Sequence, residues 1–552
     1  MGPLAKLFEA VLELFAPLVM AAIIDNGLRF GASYVVKNAA LMVAIGVVGL
    51  ASALVCQYMA SKVTSLIGTD IRNVLFAKIN TYSSEVLDRF GTPTLITRLN
   101  NDVNQVQTAV ATFIRLAVRA PFLIIGAAVM SLFIDLRLSA VFIVLIPLIA
   151  VSLWLVTVKT IPLYRKIQGL LDKITASFSS HISGIRVIRA FNTEERETRE
   201  FSEKNADYRN NITNTGRISA ALNPVTFLFT NLAIAYILYA GSQQIAAGTL
   251  TAGELIAFIG YLTQISLTMG VLANLIVIFT KASASSSRIM EIIDIDNVSP
   301  SEVNNNDENI TDSILEFRNV WFKYNEAKSD TVSDVSFSLG AGETLAIVGG
   351  TGSGKSTLIN LIPRFYEFSA GNIILDGRSI RDYGLHELRE AVRVVPQKSV
   401  LFTGTILDNL RFGNRFADNE TASRALETAC LPASRVNLDT PVTAGGKNFS
   451  GGERQRIAIA RAIIHGETLP KLVIFDDSFS ALDRSTEKTL RANLREYLPE
   501  SAFIIITERI TTALTADKIL LLEDGKSVGF GTHEELLASS DYYRSVYESQ
   551  DG

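Results

Sequence analysis

Six apolar stretches in the first half of the chain constrain its fold more than any other feature. They lie at about residues 4–24, 39–66, 115–134, 139–158, 218–240 and 254–281. Each reaches the roughly 20 residues that a helix needs to cross a bilayer. No water satisfies backbone groups at that depth, so such stretches must close their hydrogen bonds internally, as helices. The first uninterrupted run, Leu14 to Ile24, ends in Asp25-Asn26-Gly27 rather than small residues, so it reads as a retained membrane helix, not a cleaved leader. Charged residues make up only 19% of the chain, and the apolarity is concentrated in residues 1–285.

Links one, three and five between these segments are short. Links two and four run for dozens of residues and hold much of the basic charge, including Arg72, Lys78, Arg89, Arg98, Arg165, Lys166, Arg186 and Arg189. The short turns offer only Arg29, Lys37 and Arg137. The positive-inside rule therefore puts the long loops, and everything after the last segment, in the cytoplasm. Ile71 to Val86 and Arg165 to Arg186 keep apolar residues at helical spacing, which predicts helical extensions with turns near Arg89–Thr94 and Ala190–Thr193. Ser299 to Ser313, with Pro300 and Asn304-Asn305-Asn306, reads as a flexible linker. Three parts result: a membrane domain at 1–285, a linker at 286–312 and a soluble α/β domain at 313–552. A net charge of −4 gives no reason to expect a nucleic-acid partner. Two distant cysteines, Cys56 and Cys430, exclude a disulfide framework and fit a reducing compartment.

The soluble part carries phosphate chemistry. Gly349-Gly350-Thr351-Gly352-Ser353-Gly354-Lys355-Ser356 fits G-x-x-x-x-G-K-[ST], between the apolar strand Leu345–Val348 and a helix opening at Thr357. Glycines let backbone N–H groups curl around phosphate oxygens, and a helix N-terminus adds partial positive charge. Lys355 would reach the β- and γ-phosphates. Ser356, together with Asp476 at the end of another apolar strand, would hold Mg²⁺. Such a loop alone marks only a nucleoside triphosphate site.

Two further motifs narrow it: Phe449-Ser450-Gly451-Gly452-Glu453-Arg454-Gln455-Arg456 and Val473-Ile474-Phe475-Asp476-Asp477. Together these motifs resemble the nucleotide-binding domain of an ABC transporter. With six apolar segments ahead of them, the whole chain is similar to a half-transporter of the exporter (type IV) class, multidrug-exporter-like. The resemblance implies a multi-domain fold, an all-α six-helix transmembrane domain followed by an α/β P-loop domain in the cytoplasm. It implies ATP and Mg²⁺ as cofactors, export across the cytoplasmic membrane, and a second half-transporter as partner. By the same resemblance Tyr324 stacks on adenine, Gly349 to Thr357 hold ATP, and Gln397 is the loop glutamine that senses Mg²⁺. Ser450, Gly451, Gly452 and Glu453, the signature, would touch ATP held by the opposing subunit, and Asp483 would contact that subunit.

Two catalytic positions depart from the family pattern. Asp477 stands where the family has glutamate, and Glu508 stands where it has a histidine. Aspartate is one methylene shorter, proton transfer needs contact near 2.6–3.2 Å, and a displacement of about 1 Å can cost about a hundredfold in rate. A carboxylate at 508 adds like charge beside the γ-phosphate. The chain is expected to bind ATP but hydrolyse it weakly with its own residues, as the degenerate-site subunit of a heterodimer. Ala444 also stands where exporters usually have glutamate. The alternatives are a homodimeric exporter with slow hydrolysis through Asp477, and an ATP-gated regulatory or channel-like protein.

The cargo is less legible. Lys6, Glu9 and Glu13 share one helical face, where Lys6 can pair with Glu9 and Glu13 can attract a cation. Phe227, Phe229, Tyr236, Phe258 and Tyr261 are candidates for lining a cavity for apolar drugs. The family exports drugs, lipids and peptides, and no residue selects among them.

Overall fold

The computed structural model describes residues 2–295, 313–325, 327–432 and 434–551. The chain divides into two compact units, Met1–Thr81 with Gly91–Ile295, and Tyr82–Phe90 with Asp296–Gly552.

The first unit is all-helical: α1 (Gly2–Phe30), α2 (Ala32–Asn80), α4 (Thr92–Ile134), α5 (Leu136–Ser183), α6 (Ile185–Ala190), α7 (Glu194–Ala246) and α8 (Ala252–Ile293), with α3 (Ser84–Phe90) falling in the other unit. Among the described residues, six helices are long and apolar enough to cross a membrane. Helices α2 and α5 run for 49 and 48 residues, about 70 Å at 1.5 Å per residue. That is more than twice the roughly 30 Å of a hydrocarbon layer, so both continue well beyond it. The expected helix over Ile71–Val86 is instead broken after Asn80. The Thr81 hydroxyl donates to the Lys78 carbonyl at 2.7 Å, and Ser83 Oγ accepts from the Val86 N–H at 3.4 Å, which ends one helix and starts the next. Helix α8 runs to Ile293, so the start of the 286–312 linker is helical. The Ser299–Ser313 stretch lies outside the described residues except for Ser313.

The core of this unit contains Leu123, Phe142, Ile149, Phe258, Tyr261 and Ile265. Phe258 and Tyr261 are fully buried there, and the Tyr261 hydroxyl donates to the Leu14 carbonyl at 2.7 Å, while Phe227 and Tyr236 are exposed. The five aromatics therefore do not line one common cavity: Phe258 and Tyr261 are packing residues, Phe227 faces outward, and Phe229 and Tyr236 line an apolar cavity of about 390 Å³ with Val144, Leu148 and Leu232. Glu13 accepts from Arg119 at 2.6 Å, so its charge is matched rather than free for a cation, whereas the expected Lys6–Glu9 pair forms at 2.6 Å.

The second unit is α/β. A six-stranded sheet has the order β12-β11-β3-β10-β9-β6, with β3 (Thr344–Val348), β6 (Val392–Val395), β9 (Leu472–Asp476), β10 (Ala502–Ile506), β11 (Lys518–Glu523) and β12 (Lys526–Gly531). An antiparallel sheet of β1 (Ser313–Phe322), β2 (Val332–Gly340), β4 (Ala370–Leu375) and β5 (Arg378–Ser379) packs beside it, and β7 (Gly404–Thr405) pairs with β8 (Pro441–Val442). The central strands are parallel and buried on both faces, which is why Leu345–Val348, Val473–Phe475 and Ile504–Ile506 are unbroken apolar runs. Ile506 is in register with both Ile347 and Asp476. Three strands thus end at one level, and the loops after them converge at the carboxyl edge where parallel sheets place their ligands. Within this unit Tyr366 donates to Asp88 of α3, and Asn325 to Glu85.

Candidate nucleotide site

The glycine-rich turn joins β3 to helix α9 (Lys355–Leu361). Two of its glycines are fixed by geometry. Gly354 has φ +96°, and a Cβ at Gly349 would lie 2.2 Å from the Leu522 carbonyl oxygen. Only a residue without Cβ lets the loop pass there. Lys355 is buried, and its ammonium donates to the Gly349 and Gly350 carbonyls at 2.7 Å each. Burial pushes the Lys355 ammonium down from its ordinary value, against the opposing pull of Glu508, Asp476 and Asp477.

A cavity of about 350 Å³ opens over this loop, lined by residues 351–357 together with Thr331, Gln397, Asp476, Asp477, Thr507 and Glu508. The Ser356 hydroxyl donates to Asp476 at 3.3 Å, and the Gln397 amide reaches Asp477 at 3.5 Å. Burial raises the Asp476 carboxyl above the usual range, and the neighbouring Asp477 charge adds to this. Ser353 Oγ is buried here with no hydrogen-bond partner among the described residues. These features fit a magnesium nucleotide: a buried ammonium seated on the glycine-rich loop, a hydroxyl and a carboxylate side by side, and an unmatched polar atom.

The two departing residues face this cavity. Asp477 sits in the left-handed region at φ +47°, held there by the Ser480 hydroxyl donating to its carbonyl at 2.8 Å. Glu508 follows β10, accepts from the Thr351 hydroxyl at 3.3 Å, and lies 3.8 Å from the Lys355 ammonium. Tyr324 packs edge-on against Tyr366 with ring centroids 5.2 Å apart, and its hydroxyl shares a 3.2 Å hydrogen bond with Thr357.

The signature lies elsewhere on the same unit. Ser450 caps helix α10 (Gly451–Ile463): its Oγ accepts the Glu453 N–H at 3.3 Å, while the Glu453 carboxylate accepts the Ser450 N–H at 2.9 Å. This reciprocal capping box explains an acidic or amide residue at 453. The Ser450 N–H, then its hydroxyl, hold the Glu453 carboxyl below the usual range. The S-x-x-E spacing was a readable signal for this structural role; the pairing of Glu453 with Arg435 at 3.4 Å was not. Asp483 caps helix α11 (Arg484–Tyr497), accepting from the Thr486 N–H at 3.0 Å and its hydroxyl at 2.8 Å. Sequence reasoning also missed Thr331, which reaches the cavity from a distant loop.

Comparisons with known proteins agree with this geometry. Residues 1–269 match the model of the ABC transporter transmembrane region, and residues 332–480 match the ABC transporter model. The uncharacterized ABC transporter ATP-binding protein YfiB of Bacillus subtilis is 36% identical over 551 residues, covering 99% of this chain and 95% of the relative. An ATP-dependent lipid A-core flippase of Yersinia pestis is 30% identical over 563 residues, covering 100% of this chain and 94% of the relative. Among solved structures, a bacterial Atm1-family ABC exporter with ATP bound matches with a TM-score of 0.82 at 24% identity, covering 100% of this chain and 98% of that one. The last likeness concerns the fold.

Proposed function

Since this chain belongs to the ABC transporter family, as an ATP-hydrolysing transporter with membrane and nucleotide-binding domains in one chain, we propose that it is the degenerate-site subunit of a heterodimeric exporter. The observation that carries the reading is the carboxylate of Glu508, 3.8 Å from Lys355 over the phosphate-binding loop. Hydrolysis there needs a group that donates to the γ-phosphate as charge builds on it. A carboxylate at that position repels the charge instead. Asp477 compounds the defect, since its side chain is one methylene short of the family's glutamate and must reach the attacking water from a backbone held in the left-handed region.

When nucleotide is bound, Mg²⁺ supplies Lewis-acid stabilisation of the phosphates. Ser356, Asp476 and Gln397 are the residues of this chain that would hold it, with Lys355 and the amides of residues 350–356 taking the phosphates. The signature at Ser450–Glu453 keeps an N-capped helix start suited to an anion. In a pair, that signature would complete the partner's site, where hydrolysis proceeds. Contacts of α3 with Asn325 and Tyr366, near the adenine-side Tyr324, support a path from ATP-driven closure to the membrane helices.

The test is ATP turnover by this chain alone in lipid, beside its Asp477→Glu/Glu508→His double variant. Silence in the wild type with Mg-ATP bound, and turnover in the double variant, is the expected pattern. Ordinary Mg-dependent turnover by the wild type, abolished by Lys355→Ala, would overturn the degenerate-site reading and favour a homodimer.

A further inference from the structure

The nucleotide-binding unit has a second cavity that nucleotide chemistry does not use. Helix α11 carries Arg484, Lys488, Arg491 and Arg495 at i, i+4, i+7 and i+11, so the four fall on one helical face. A basic stripe of this kind is ordinarily a solvated surface. Here all four residues line a cavity of about 610 Å³, against about 350 Å³ for the nucleotide cavity, and the two cavities share no residue.

The inner wall of the second cavity is aromatic. Phe475 of β9, Phe503 of β10 and Phe479 are buried, and the Phe475 ring centroid lies 5.1 Å from that of Phe479 and 6.1 Å from that of Phe503. The Arg491 and Arg495 guanidiniums stand over Phe479 and Phe503, 5.2 and 5.1 Å from the ring centroids. Planar cations and aromatic faces side by side suit a further flat ring, since both stack on π systems.

Charge in the cavity is unbalanced, because the four basic residues face two acidic ones, Glu487 and Asp517. Arg495 is satisfied: it donates to Asp517 at 3.0 Å and to the Thr344 hydroxyl at 2.6 Å. Arg491 is not. Its Nη1 donates to the Thr512 carbonyl at 3.2 Å, but its Nη2, 3.2 Å from the Glu487 carboxylate, is out of line for a hydrogen bond, and its Nε has no acceptor. Nε and Nη2 form one edge of the guanidinium, the edge that takes a carboxylate or phosphate with two parallel hydrogen bonds. Nearer the solvent, Arg484 and Lys488 are exposed and have no ion pair among the described residues. The cavity also backs onto the nucleotide site: Phe475 precedes Asp476, Asp483 caps α11, and Thr511 and Thr512 follow Glu508.

We propose that this cavity binds a small aromatic anion, a carboxylate or phosphate, with its ring against the phenylalanines and its charge on Arg491, Arg484 and Lys488. The site is separate from the nucleotide site and depends on neither the degenerate-site reading nor a partner chain.

The experiment uses the full chain in phosphatidylcholine nanodiscs, with empty nanodiscs subtracted. 1-Naphthoate, 1-naphthylmethylamine and 1-naphthalenemethanol are titrated by calorimetry, so that the ring system is fixed and only the charge varies. 1-Naphthoate should bind about tenfold or more tighter than the other two, as expected of charge-assisted hydrogen bonds. Arg484→Gln/Lys488→Gln should weaken naphthoate about fivefold, the scale of charge pairs near a protein surface. Ala492→Trp, at an exposed position of the cavity wall, should abolish binding by filling the space. Neither variant removes a partner within the fold, so the melting temperature should stay unchanged in both. Each titration is repeated with the nucleotide cavity filled by the magnesium complex of a non-hydrolysable ATP analogue, and naphthoate binding should persist. Equal affinities for the three probes, naphthoate binding unchanged in both variants, or its loss when the analogue is bound would overturn the site. None of these titrations reads hydrolysis, so this proposal and the degenerate-site reading can fail separately.

Discussion

The carboxylate of Glu508 lies 3.8 Å from the ammonium of Lys355 and accepts the hydroxyl of Thr351 at 3.3 Å. A residue from the end of one buried strand thus contributes negative charge to a loop built to receive phosphate. Because the Glu508 side chain is largely exposed, solvent screens this interaction, and its effect on ATP should be moderate.

Glu508→Gln should therefore tighten ATP binding by about fivefold, the scale of one well-solvated charge pair near 4 Å. The same change removes the largest favourable charge beside buried Lys355, whose ammonium is already pushed down by burial. The nucleotide-free domain should then melt slightly lower. Nucleotide titration and thermal melting read the two opposite effects.

Asp476 gives a pH prediction. Its carboxyl is raised above the usual range, chiefly by burial and then by the Asp477 charge. The folded state thus binds this proton more tightly than the unfolded chain, so the ionised group opposes folding as pH rises through its folded value. Asp476→Asn should raise the melting temperature of the nucleotide-free chain at neutral pH. It should also weaken Mg-ATP binding and remove the loss of Mg-ATP affinity expected of the wild type on acidification. A melting temperature that falls in Asp476→Asn would contradict the burial argument.

Neighbouring glycines should respond differently to one added methyl. A Cβ at Gly349 meets the Leu522 carbonyl oxygen at 2.2 Å, whereas at Gly350 nothing lies within 4 Å. Gly349→Ala should cost about 1–3 kcal/mol, as overpacking does, and should disrupt the loop that holds Lys355. Gly350→Ala should be near neutral in denaturant unfolding.

At the signature, Ser450→Ala should destabilise the nucleotide-binding domain by about 1 kcal/mol through loss of the cap, before any partner is present. Glu453→Gln retains the capping box and should change stability little. Unfolding of the separate variants, followed by turnover of the assembled pair, distinguishes the cap from contact with the partner's ATP.

The sequence by itself determined the order of the two domains, the six membrane helices, the glycine-rich loop and the identity of the strand-end residues. These follow from short-range rules: an apolar run of fixed length must be helical in a bilayer, and a strand buried on both faces must be apolar throughout. Gly349 to Ser356 and Asp476 were legible because their chemistry demands particular residues at particular spacings. What only the tertiary structure decided depends on which distant segments meet. It brought Thr331 to the phosphate cavity, paired Arg435 with Glu453, matched Glu13 with Arg119, and buried Phe258 and Tyr261 as core rather than cavity lining. Helical spacing tells which side chains share a face but not what that face meets. Glu13 shows the difference: the sequence displays an acidic residue on the face it shares with Lys6 and Glu9, and only the packing of α1 against α4 gives it Arg119 as its counter-charge.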